Sequence, residues 1–270
     1  MSFARFCLGA AALVAAAPPA AAAERATAID FPYVAAMSRV SDGDRVYFCA
    51  GTLIAPDWIL TAAHCFHSRS GDRIPIRDLW AVVGRDRLAI AEPEAQVAIA
   101  AVIVYPGYNH GSQRDDIALV RLAEEAGPLV AEVPRATERR PSRATVLGFG
   151  SFYEGALAGR AVSASGAPAA QLSRELRRAE TIVMDSATCE TRLGRGGVSG
   201  PRPGLCGTAA PEEACVGDSG GPLVTQGSDG SARLIGIVSL GTGCGRPDPV
   251  VLYTDVAAYR DWIMGILVPH

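Results

Sequence analysis

The chain has 270 residues, 49% of them hydrophobic and 20% charged, with a formal net charge of -3. That length holds one large domain or two modest ones, and so apolar a composition excludes a disordered chain. The near-balanced charge offers no basic field for counterion release, so nucleic acid is not the expected partner; the 25 basic residues are all arginine, which we read as compositional bias without functional meaning.

Residues 1–23 carry Arg5, an apolar run from Phe6 to Ala17, Pro18-Pro19 and an alanine tract ending in an A-x-A-like site at Ala21-Ala22-Ala23. This pattern reads as a secretory signal peptide cut after Ala23, which predicts a secreted or periplasmic protein. The run is too short to span a bilayer and no later stretch reaches that length, so no stable membrane insertion is expected. Residues 24–30 then form a short lead or propeptide. Cys7 leaves with the signal, and the six remaining cysteines, Cys49, Cys65, Cys189, Cys206, Cys215 and Cys244, form an even set in an exported chain, which points to three disulfides among fifteen possible connectivities.

From Phe31 to Leu122 short apolar, β-branched stretches alternate with turn residues: Phe31 to Val40, Val46 to Ile54, Trp58 to Ala63, Leu79 to Val83, Val97 to Val104 and Ile117 to Leu122. None sustains a helical period, so the first half is predicted to be all-β. Residues 123–143 turn to proline and charge and mark an internal boundary. Strands resume at Ala144 to Phe149, Thr181 to Met184, Leu223 to Thr225, Arg233 to Leu240 and Val250 to Thr254. Between them, 151–171 reads as a long exposed Gly/Ala/Ser loop and Leu172 to Ala179 as a short helical turn. Val256, Tyr259, Ile263 and Ile266 recur at helix spacing, predicting an amphipathic terminal helix packed on the second half.

The sharpest motif is G-D-S-G-G-P at Gly217 to Pro222, just after Cys215. A serine hydroxyl becomes a nucleophile only when a base takes its proton, and a glycine-flanked turn can present backbone N–H groups to the oxyanion that results. T-A-A-H-C places His64 beside Cys65 at the end of an apolar strand, where a disulfide would hold the ring still, as a general base requires. His67, His110 and His270 have no such setting. D-D-I-A-L-V-R-L at 115–122 sets an acid at the mouth of a strand, a weak signal alone but one that could orient the histidine.

In the order His64, Asp116, Ser219, with V-S-L-G at Val238 to Gly241 and L-Y-T-D-V at Leu252 to Val256, the chain resembles the chymotrypsin and trypsin family of serine endopeptidases over most of residues 32–266. The resemblance implies a protease domain over 31–270, all-β, built as two antiparallel six-stranded β-barrels with a C-terminal α-helix: first barrel about 31–122, linker 123–143, second barrel about 144–255, helix 256–267. It implies Ser219 as nucleophile, His64 as base and then acid, and Asp116, which directly precedes I-A-L, as the orienting acid in preference to Asp115. The N–H groups of Gly217 and Ser219 would form the oxyanion hole, and Ser239, Leu240 and Gly241 would pair with substrate backbone as an added strand. It also implies the disulfides Cys49–Cys65, Cys189–Cys206 and Cys215–Cys244, a peptide or protein substrate, a monomer, and neither metal nor organic cofactor.

Two positions depart from the family pattern. At the pocket base, two residues before Cys215, stands Glu213, whose carboxylate would favour an Arg or Lys side chain of the substrate; on the wall stands Val251, which would narrow the pocket for small residues. The family's I-V-G-G end, whose ammonium pairs with the acid beside the nucleophile (here Asp218), does not occur. Either cleavage after Arg25 frees Ala26 to reach Asp218, or a signal-processed chain supports the oxyanion turn in another way. The rival readings are a catalytically inactive homologue acting as a binding protein and a non-peptide esterase.

Overall fold

A computed structural model describes residues 23–41, 44–68, 70–88, 96–136, 138, 140–149, 175–184, 186–194, 203–208, 219–241 and 250–268. Residues 1–22 of the expected signal segment, the 151–171 stretch, Glu213, Cys215, Gly217, Asp218, Cys244 and His270 lie outside these residues.

The first half closes as a six-stranded antiparallel barrel of β2 (Val34–Ser41), β3 (Asp44–Ala55), β4 (Trp58–Thr61), β5 (Leu79–Val83), β6 (Gln96–Val104) and β7 (Ala118–Leu122), in the order β2-β3-β4-β7-β6-β5 with β5 returning to β2. Apolar side chains along these strands, Met37, Leu53, Ile59, Leu60, Leu79 and Leu119 among them, are withdrawn from water, and in β4 both faces are buried. Register shifts between Met37 and Ser38, Leu53 and Ala55, and Ile99 and Ala101 bend the strands, which is how a twisted sheet closes on itself. Outside the barrel, Arg121 lies over the Trp58 ring and pairs with Asp57 at 3.3 Å, so the one charged side chain of β7 is turned to the surface.

The second half closes in the same way from β8 (Arg143–Gly148), β9 (Arg177–Met184), β10 (Gly204–Thr208), β11 (Pro222–Gln226), β12 (Ala232–Gly241) and β13 (Val250–Asp255), in the order β9-β10-β13-β12-β11-β8 with β8 returning to β9. A two-residue strand, β1 (Glu24–Arg25), is added to β9. The helical turn expected at Leu172 to Ala179 is not formed over its described part: Arg177–Ala179 opens β9. The physical reason is a period of two in which Ala179 and Thr181 point inward and Arg178, Glu180 and Ile182 point to solvent, while Thr145 donates to Glu180 across the strand pair at 2.8 Å. The helix of this region is instead α1 (Ser186–Gly194), tied to β10 through Cys189–Cys206 and packed beside Val250 and Leu252.

A 3-10 turn at Val256–Tyr259 leads into α2 (Arg260–Leu267), as the helix spacing predicted. Its packing differs from the expectation. Tyr105 of the first half meets Tyr259 and Trp262 edge to face at 5.0 and 5.2 Å, and Tyr259 donates to Asp115 at 2.7 Å, so the helix crosses back onto the first barrel. The apolar stripe finds its partner where aromatic area is available. The linker also joins the halves: the Ala131 N–H donates to Leu53 and the Glu132 N–H to Ala232. Among the described residues, no helix is long and apolar enough to cross a membrane.

Candidate active site

Among the described residues, His64, Asp116, Ser219 and Ser239 are held where the two barrels meet. β4 ends at Thr61, whose hydroxyl donates to the Ala50 carbonyl at 2.8 Å, and the wholly buried Ala62 and Ala63 let the chain turn tightly into a 3-10 turn over Ala63–Phe66. His64 sits in that turn with its side chain 21% exposed, and the Cys49–Cys65 disulfide fastens the turn to β3. A loop closed across 16 residues removes about 3 kcal/mol of unfolded-chain entropy, which stabilises the part of the fold that carries the ring.

Asp116, at the mouth of β7, is fully buried. One carboxylate oxygen accepts from the His64 backbone N–H at 2.8 Å, and the other accepts from His64 Nδ1 at 2.7 Å and from the Ser239 hydroxyl at 2.5 Å. Its own carbonyl accepts from Thr254 at 2.8 Å. Burial alone would raise this carboxyl; the His64 ring and the hydrogen bonds from His64 and Ser239 outweigh it and hold the group below the ordinary carboxylate range. An ionised carboxylate can only accept, so the proton between the two side chains belongs to Nδ1, and in the neutral form of the ring Nε2 carries the lone pair. The adjacent Asp115 is engaged elsewhere, with Tyr259, and its positive φ of 53° turns the chain so that the two neighbouring acids face different partners.

Ser219 opens the turn before β11. Its carbonyl accepts from the Ala50 N–H at 2.8 Å, and the next N–H, of Gly220, donates to the Val238 carbonyl at 2.8 Å. Gly220 has φ of +81°, and a Cβ there would lie 2.1 Å from Thr61 Oγ1 and 2.4 Å from the Ala50 oxygen, so only glycine lets the serine turn approach the first barrel this closely. The links form a closed circuit through both barrels. His64 binds Asp116, Asp116 binds Ser239, Val238 binds Gly220, Ser219 binds Ala50, and Cys49 returns through its disulfide to Cys65 beside His64.

The sequence assigned Ser239 to substrate backbone; its donation to Asp116 is an additional role that sequence reasoning missed. The register shift between Val238 and Leu240 makes Ser239 a bulge residue, which turns its hydroxyl inward toward the acid. Thr254 was likewise missed, although it lies within the L-Y-T-D-V motif. Near this site burial, and after it the negative charge of Asp116, push the Tyr108 phenol up. Leu240 is half-buried and Gly241 exposed at the end of β12. Val251 is 5% exposed and packs in one apolar cluster with Leu205, Val238 and Tyr253.

The sulfurs of Cys49 and Cys65 lie close to the His64 ring but are bonded to each other, so they provide no thiolate for a metal ion. A family model described as Trypsin matches residues 22–263. The chain is 32% identical over 241 residues to transmembrane protease serine 11C of Mus musculus, covering 87% of this chain and 50% of that protein. It is 34% identical over 249 residues to coagulation factor XII of Sus scrofa, covering 86% and 37%. Against tissue-type plasminogen activator of Homo sapiens it is 32% identical over 253 residues, covering 87% and 42%. The chain thus spans half or less of the length of these curated relatives. Agreement across nearly the whole of a two-barrel chain leaves one assignment, and the chain belongs to the trypsin family.

Proposed function

We propose that the chain is an exported serine endopeptidase that hydrolyses peptide bonds through an acyl-enzyme, with Ser219 as nucleophile, His64 as general base and Asp116 as its orienting acid. The observation that carries this reading is the His64–Asp116 pair: a buried carboxylate held ionised by three donors, fixing the ring with its Nε2 lone pair available. In the reaction, the Ser219 oxygen bonds to the scissile carbonyl carbon while its proton passes to His64. The carbonyl oxygen becomes an oxyanion for the N–H groups of Gly217 and Ser219, and His64 then gives the proton to the departing amine. Water repeats the sequence on the ester, returning the serine. Asp116 keeps its negative charge throughout and stabilises the imidazolium between the two transfers.

Substrate backbone is read as a strand laid along Ser239–Gly241. Among the described residues, β11 pairs with β12 as far as Ile237 and Val238 bonds to Gly220 and Gly221, while β12 runs on to Gly241, which supports an added strand along Ser239–Gly241. For the substrate side chain before the cut bond, Glu213 favours Arg or Lys. A second reading, a small apolar side chain, is favoured by the burial of Val251 against Val238 and Tyr253. A peptide library digested with the purified secreted protein beside a Ser219→Ala control, read by mass spectrometry, tests both. Cuts after Arg or Lys, absent from the control, establish the protease and give the pocket anion to Glu213. Cuts after small apolar residues keep the mechanism and assign selectivity to Val251. No cuts by a folded, oxidised protein overturn the proposal in favour of a binding homologue.

A further inference from the structure

The N-terminal lead touches both barrels. On the second barrel, Glu24 and Arg25 pair antiparallel with Arg178 and Arg177, and the Ala26 N–H donates to the Leu176 carbonyl at 2.9 Å. Arg178 pairs with the Glu24 carboxylate at 3.0 Å. Toward the first barrel, the Ala28 N–H donates to the Asp86 carboxylate, in the segment that follows β5. The two sides are themselves joined at this point. The Leu176 N–H donates to the Asp86 carbonyl at 2.7 Å, Arg87 bridges to Glu175, and the Glu175 carboxylate faces Arg25 at 3.1 Å and Arg87 at 3.7 Å. Beneath these polar contacts Ala26, Leu88 and Leu176 are buried.

We propose that residues Glu24–Ala28 are a permanent clasp between the two barrels, kept in the working protein, so that the Arg25–Ala26 bond is not cut during maturation and no new amino terminus at Ala26 is needed for activity. A protease needs several residues on each side of a bond free and extended in its cleft. Here the Arg25 side chain is largely exposed, but the backbone on both sides of the bond is committed to β9 and Asp86, so the bond opens only when the clasp peels away. The clasp joins residues 24–28 to Asp86 and residues 175–178 through backbone hydrogen bonds from Ala26 and Ala28 and the opposite charges of Glu24 with Arg178 and Arg25 with Glu175.

The test uses two readouts that need no activity from this chain, so they stand even if the hydrolytic reading fails. The first is intact mass and N-terminal sequencing of the secreted protein: Glu24 and Arg25 are expected to be retained. The second is excess trypsin added to the folded Ser219→Ala protein. The Arg25–Ala26 bond is expected to survive there and to be cut at least tenfold faster in Asp86→Ala and, separately, in Glu175→Ala. An Arg25→Gln variant, which gives up the largely exposed pair with Glu175 and keeps the backbone contacts of the clasp, is expected to keep the same N-terminus and, against a cleavable peptide, the same rate within twofold. A secreted form beginning at Ala26, or a wild-type bond cut as fast as in both variants, overturns the clasp.

Discussion

Two carboxylates, Asp116 and Asp255, are both withdrawn from water at 0% and 3% exposure, and Thr254, the neighbour of one, hydrogen-bonds the carbonyl of the other. Their charges nevertheless respond oppositely. At Asp255 burial raises the carboxyl, and the Arg140 guanidinium, itself half in solvent, does not offset it. At Asp116 burial acts in the same sense, but the His64 ring, the His64 N–H and the Ser239 hydroxyl overcome it. The difference teaches that burial alone does not set a carboxyl's charge; the donors aimed at its oxygens decide it.

The largest expected effect separates the two acids by activity. Asp116→Asn lets an amide N–H donate to His64 Nδ1, which favours the tautomer with its proton on Nε2, and kcat/KM on the best library peptide should fall about a thousand-fold or more. Asp255→Asn should stay within about threefold. Equal losses would break the distinction.

A second contrast sharpens the claim that the serine turn depends on close approach. Gly220 and Gly230 share nearly the same φ, +81° and +82°, but nothing lies within 4 Å of a Cβ at Gly230. Gly230→Ala should cost about 1 kcal/mol in urea unfolding, the strain of the backbone alone. Gly220→Ala adds a clash with backbone and should cost about 3 kcal/mol or more, with loss of activity.

Ser239→Ala removes one donor to Asp116 and should cost about 1.5–3 kcal/mol at neutral pH, the range for a hydrogen bond to a charged group. Because the folded Asp116 carboxyl lies below its unfolded value, its stabilisation is present above that unfolded value and is lost as pH falls through the folded one. Raising the folded value by removing Ser239 should move the start of acid unfolding to higher pH. The smallest effect is at Asp255, where the sign reverses. Its folded value is raised, so its penalty is present at neutral pH and fades as pH falls from the folded toward the unfolded value. Asp255→Asn should leave neutral stability within about 1 kcal/mol of wild type or improve it, and any gain should shrink on acidification.

The first barrel was largely legible because its strands alternate or run apolar, as in Leu79–Val83 and Trp58–Thr61, and pattern reading finds both. β9 hid behind its arginines and glutamate, which point outward, and β10 behind two glycines. Gly207 has no side chain because a Cβ there would lie 2.5 Å from Thr181 Oγ1, a close approach that local propensity does not express. At the site, motifs singled out His64 and Asp116, and the structure pairs them at 2.7 Å. The inward turn of Ser239 follows from a bulge, and the return of α2 to Tyr105 from the path of the whole chain; neither is written in local sequence.

The central claim is that Ser219 is activated by the His64–Asp116 pair, and the most direct test is a serine-directed phosphonylating probe with peptide mapping of the adduct. We expect one adduct per chain on Ser219, none in Ser219→Ala, and labelling slowed by orders of magnitude in Asp116→Asn. Absence of the adduct in folded, oxidised wild type, or labelling of Ser219 at the same rate in Asp116→Asn, would contradict the account.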